Sequence, residues 1–155
     1  MTGGGRVMSA AELCLLGAGV FFLSGLLTGV WKYVWIHATE SGKACAPVYV
    51  DIAHRASLMY SFAAILLYQF VPYSPVSPAA TEWAVAIPLL FFASAIVTYI
   101  VHGALLDTEN QLHIPHVLGG MTLPPWLIRG YVWALVVGEI GGFVVLFYGF
   151  LRQVL

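Results

Sequence analysis

Long apolar runs alternate with short polar breaks along this chain. Four runs stand out: Ala10–Ile36, Val50–Pro72, Thr81–Leu106 and Pro125–Leu155. Each reaches the ~20 apolar residues that a helix needs to cross the hydrocarbon core of a bilayer. Strand-like alternation is absent, and only helices and closed barrels satisfy their backbone in lipid, so all four runs predict α-helix. The short breaks make this one domain, 1–155: an all-α integral membrane protein folded as a four-transmembrane-helix bundle. No internal repeat or low-complexity segment is present.

Local signals mark the ends of the runs. Pro72 closes the second, followed by the breaker-rich Tyr73-Ser74-Pro75-Val76-Ser77-Pro78. Pro124-Pro125 opens the fourth, where a missing N–H costs little. Trp31, Tyr33, Trp35 and Trp126 fall at run ends, as an aromatic belt requires. The Gly-rich Met1–Met8 reads as a frayed end. The first run is too long for a signal-peptide core and lacks a cleavage pattern after it, so no cleaved leader is expected.

Composition strengthens this picture. Of 155 residues 61% are hydrophobic and only 8% charged, against roughly 25% charged in soluble domains. The net charge of −1 leaves no basic stripe for nucleic acid. Two cysteines, Cys14 in an apolar helix and Cys45 in a loop, make no disulfide framework. The side with the first and third inter-helix loops carries Lys32, Lys43, Arg55 and Arg129, the other Arg6 and Arg152; four cations against two favours the former as cytoplasmic. Small-residue stripes, Gly25-xxx-Gly29 on the first helix and Ala134-xxx-Gly138-xxx-Gly142 on the fourth, allow close helix packing, within one bundle or between subunits.

Against this background the polar residues inside the runs carry the chemistry. His54 lies about four residues into the second helix, ~6 Å deep at ~1.5 Å per residue. An ionisable side chain there is expensive and marks a functional candidate, and imidazole is a good ligand for iron or copper. Ser57 and Ser61 share its helix face, with Tyr60 on a neighbouring one. The third helix returns to the same side, bringing His102 to similar depth, with Tyr99 one turn deeper on the same face. Each residue also has a plain reading: His54 as an interfacial histidine bonded to backbone, the tyrosines as packing, His102 as a headgroup contact. Glu139, midway down the fourth helix, requires a proton or a hydrogen bond to another helix. His113 and His116 have the spacing of a surface metal site or belong simply to the loop, and Asp107, Glu109, Asn110 and Gln111 read as a solvated loop or a lid. Taken together, four apolar helices with His and Tyr at matched depth suit a buried porphyrin. Without Cys-x-x-Cys-His, such a haem is non-covalent and b-type.

An ordered set of residues resembles the styrene oxide isomerase family. A Gly-rich first helix ends near Trp31, Ala53-His54 opens the second, Pro72 closes it, Tyr99 lies in the third, and Asn110-Gln111 follows in the next loop. The resemblance covers most of the chain at low identity. It implies a small membrane protein, trimeric, holding haem b at subunit interfaces in a bacterial inner membrane. His54 would be the axial iron ligand and Tyr99 would orient the substrate oxygen; from helix face and depth, Ser57, Ser61 and His102 are further candidates for cofactor contact and Tyr60 for catalysis. The implied reaction is a Lewis-acid Meinwald rearrangement of an epoxide such as styrene oxide to a carbonyl compound. Where the family has an asparagine six residues after the histidine, this chain has Tyr60. Two other readings remain open: a b-type electron carrier ligated by both His54 and His102, and a haem-free scaffold subunit that packs on a partner.

Overall fold

The structure, a computed structural model, describes residues 8–38 and 45–155. Arg6, Lys43 and the segment Met1–Val7, on which expectations were placed above, lie outside the described residues. Four long helices run α1 (Ala10–Ala38), α2 (Val48–Phe70), α3 (Pro78–Leu105) and α4 (Pro125–Val154). All four are long and apolar enough to cross a membrane, which makes this a multi-pass integral membrane protein of the expected all-α class.

The boundaries follow local chemistry. Ser9 and Glu12 form a reciprocal capping box that starts α1: the Ser9 N–H donates to the Glu12 carboxylate at 2.9 Å and the Glu12 N–H to Ser9 Oγ at 3.3 Å. α2 ends at Phe70 and a 3₁₀ turn, Val71–Tyr73, takes the chain past Pro72. α3 starts at Pro78, three residues before the expected Thr81, because Ser77 caps it and Pro78 occupies the first turn. It ends where Leu106 turns left-handed at φ 52° and donates its N–H to the His102 carbonyl.

Close helix approach rests on glycine. Gly25 of α1 receives Leu58 of α2, and a Cβ there would lie 2.6 Å from the Leu58 side chain. On α4, Gly138 lies against Phe91 and Ile87, and Gly142 against Pro88 and the Ala84 carbonyl. Proline has no N–H, so Pro88 leaves the Ala84 carbonyl without its intrahelical partner. Gly142, lacking Cβ, lays α4 directly on that carbonyl. The Gly138 and Gly142 stripe is thus used inside the bundle, against α3. Cys14, fully buried, belongs to the core with Phe21, Val85, Phe92 and Leu146, whereas Cys45 is exposed.

The loop between α3 and α4 departs from the all-helical expectation. His116–Leu118 and Met121–Leu123 pair antiparallel as β1 and β2, with His116 opposite Leu123 and Leu118 opposite Met121. Gly119-Gly120 forms the two-residue turn, and Gly119 takes the φ of +59° that its first position requires. The hairpin is anchored from α3: the Gly119 N–H donates to Asp107 Oδ2 at 2.6 Å.

Candidate functional site

Two polar sites emerge at the loop end of the bundle. The first is the seat of His54. Its ring lies in the α1 groove between Gly25 and Gly29, and Nδ1 bonds the Gly25 carbonyl at 2.8 Å. A carbonyl only accepts, so Nδ1 carries the proton and Nε2 keeps its lone pair in the neutral ring. A Cβ at Gly29 would lie 2.9 Å from His54 Cε1, so glycine is what makes room for the ring. Nε2 has no partner among the described residues, and the half-buried ring leaves it not fully enclosed. The Gly25-xxx-Gly29 stripe therefore serves helix packing at one glycine and histidine seating at the other. Just outside it, Asp51 bridges the helices by pairing with Lys32 of α1 and, at 2.8 Å, with Arg55.

Ser57 and Ser61 are buried on α2, but their hydroxyls are turned back onto their own helix. Ser57 Oγ donates to the Ala53 carbonyl at 2.7 Å and Ser61 Oγ to Leu58 at 2.6 Å. With their hydrogens so engaged, they could meet a ligand only as acceptors.

The second site lies on the other side of α2. Tyr60 stacks on Phe92 of α3 with ring centroids 4.5 Å apart, and its phenol lies close to that of Tyr99. Tyr99 stacks on Tyr49 at 6.0 Å, and Tyr49 in turn lies 5.1 Å from the His102 ring. The structure thus brings Tyr60, Tyr99 and His102 into one chain of contacts through Tyr49, while His54 faces α1. Tyr49 escaped the reading of the sequence, although its place at the start of the second helix and opposite the end of the third was a usable signal. Its hydroxyl also accepts the Gln111 N–H, tying the lid to α2. From α4, Tyr131 bonds Ser94 of α3 at 2.6 Å, and Glu139 is an electrostatic neighbour of Tyr60 and Tyr99. Glu139 Oε1 is buried without a hydrogen-bond partner among the described residues, so the inter-helix bond expected for it is not made by that oxygen.

His102 is 5% exposed and its Nδ1 bonds Asp107 Oδ1 at 2.7 Å. The left-handed turn at Leu106 brings the Asp107 carboxylate back over the helix end. Burial acts to raise the Asp107 pKa, but the Gly119 N–H and the His102 bond and charge outweigh it and hold the carboxyl below its usual range. A depressed folded pKa contributes stability that is fully present above the ordinary carboxylate range and lost as pH falls through the folded value. Hairpin protection in hydrogen exchange should therefore persist on acidification to about pH 4 and fall only below it. Asp107→Ala should weaken it by about 1–3 kcal/mol at neutral pH, since the His102 and Gly119 donors lose their acceptor.

His113 and His116 do not act as a pair: His113 is exposed, whereas His116 is buried, with Nδ1 donating to the Gln111 carbonyl at 3.1 Å. Gln111 lines a cavity of 410 Å³ between α3 and α4, together with His102 and His116. Among the described residues no three His, Cys, Asp or Glu side chains form a metal-binding group; a histidine that holds haem iron needs no such cluster, because the porphyrin supplies the other four ligands.

Fold and sites define a multi-pass membrane protein with one histidine seated in an inter-helix groove and a separate cavity. No family model, no curated protein and no solved structure matches the chain.

Proposed function

We propose that the protein is a haem b-dependent membrane isomerase that converts epoxides of the styrene oxide type to carbonyl compounds. The observation that carries this reading is the His54 seat. Metal-ligating histidines almost always donate their second ring N–H to a carbonyl or carboxylate, which fixes the tautomer and raises the basicity of the ligating nitrogen. His54 has that arrangement, with Gly29 making space for the ring and Nε2 without a partner among the described residues. Because the His54 ring is only half-buried in the α1–α2 groove, a flat apolar group held there would need cover from a second copy of the chain. That fits the homotrimer with interfacial haem that the family resemblance implies, in a bacterial inner membrane.

When bound, haem would supply a Lewis acid toward the epoxide oxygen. The residues of the chain have separate tasks. His54 would hold the iron, and its ring is itself held by the Gly25 carbonyl. Tyr60 and Tyr99 lie on the α3 side of α2, away from His54, so their hydroxyls would meet a substrate oxygen only at haem held by a second copy of the chain. Their stacking on Phe92 and Tyr49 fixes both rings. The phenol of Tyr60 gives this chain one donor and one acceptor where the family's amide offers more of each.

Purified holoprotein incubated with styrene oxide should form phenylacetaldehyde, and Tyr60→Phe should slow turnover by roughly a hundred- to a thousandfold, the range for loss of a catalytic hydrogen-bond donor. Lack of turnover across a panel of aryl and alkyl epoxides would refute the activity. The electron-carrier alternative gains nothing from the geometry, since His54 faces α1 while His102 is committed to Asp107 on the lid side of α3.

A further inference from the structure

Away from the His54 groove, the most specific constellation is the cavity beneath the hairpin. Its walls are aliphatic, with Val97, Val101, Leu123 and Ile128 among them. His102, Gln111 and His116 gather at its loop end, from the last turn of α3 and from the lid. Hydrogen-bond accounting shows what they offer. His102 Nδ1–H is given to Asp107 and His116 Nδ1–H to the Gln111 carbonyl, so each neutral ring presents Nε2 as an acceptor. Neither Nε2 has a partner among the described residues, and neither is enclosed, although the two residues are only 5% and 7% exposed. Gln111 Oε1 is a third acceptor, enclosed and unpartnered.

Gln111 Oε1 is a buried acceptor without a donor, which is costly, and the accessible Nε2 atoms of His102 and His116 belong to residues that line the cavity, so an occupant with a hydroxyl finds acceptors there. A cavity of 410 Å³ lies in the range of small-molecule sites and far exceeds the room a metal ion needs. We propose that this cavity is a second binding site, for a small neutral alcohol with an aromatic or short aliphatic body. The hydroxyl donates to Nε2 of His102 or His116 and the body lies along the aliphatic walls. Epoxides and aldehydes have no hydroxyl hydrogen, so this site discriminates against the substrate and product proposed above. It does not depend on that reading, because His54, Tyr60 and Tyr99 are not part of the lining.

The test uses full-length protein in detergent at pH 8 with ¹³C-labelled histidine side chains, titrated with 2-phenylethanol and with its methyl ether. The His102 and His116 ring signals, assigned with His102→Gln and His116→Gln, should shift saturably with the alcohol while the His54 signal stays still. The ether should bind about tenfold more weakly or worse, because it brings no donor. Val101→Phe, which fills the cavity without touching a polar group, should abolish the saturable shift. Equal binding of alcohol and ether, shifts that only track partition into detergent, or shifts that survive in Val101→Phe would each overturn the proposal. Saturation of both signals by Zn²⁺ with no response to the alcohol would overturn it as well and make the site a metal site.

Discussion

His54→Ala should yield a folded, monodisperse membrane protein that has lost its haem. Replacing even a hydrogen-bonding partner of a metal ligand typically costs 10- to 100-fold in affinity; loss of the ligand itself should cost about a hundredfold or more. Helix content should be unchanged, because the half-buried ring contributes little to the core, and the Gly25 carbonyl retains the Thr28 hydroxyl at 3.1 Å. Gly29→Ala provides a second, independent arm. Its Cβ would lie 2.9 Å from His54 Cε1, so the ring must shift out of the groove although the ligand remains. Haem content in Gly29→Ala should fall between that of the parent and that of His54→Ala. If both variants retained a full Soret absorbance, His54 would be an interfacial histidine satisfied by backbone.

The second large effect concerns the α3–α4 contact. In Gly142→Leu the new side chain has nowhere to go, with Pro88 Cγ 2.5 Å from its Cβ and the Ala84 carbonyl closer still. Overpacking costs about 1–3 kcal/mol and occasionally more; here the obstacles are a backbone carbonyl and a proline ring, neither of which moves aside, so the upper end or beyond is expected. Gly141, the adjacent residue, has open space where its Cβ would stand. Gly141→Leu should therefore stay within about 0.5 kcal/mol of the parent. Thermal unfolding in one detergent separates the two: the Gly142 variant should melt far lower and the Gly141 variant close to the parent.

These effects show what was legible in the chain. Apolar run length alone placed four helices, because lipid admits no other open element. The hairpin was not legible: each strand has only three residues, too few for a period of two to show. Its anchor, the Asp107–Gly119 bond, spans 12 residues, a pairing that no local pattern announces. Depth was readable and facing was less so. His54 and Tyr60 stand six residues apart on α2, roughly 9 Å along the axis, but about 240° of helical turn sends one to α1 and the other to α3. The role of Gly29 was half visible as part of a packing stripe; that it makes room for a histidine is a relation between two helices and had to be seen in three dimensions. Ser57 and Ser61 shared the right face on a helical wheel, yet in an apolar environment their hydroxyls turn to carbonyls of their own helix, the nearest acceptors.

The central claim, that His54 holds haem with one iron position left open, is tested most directly by the absorption spectrum of the parent protein. It should be purified in detergent from cells supplied with haem, and its spectrum recorded before and after addition of azide. The account predicts a Soret band of a histidine-ligated iron that shifts when azide binds the open position. Absence of a Soret band, or a low-spin six-coordinate spectrum indifferent to azide, would contradict it.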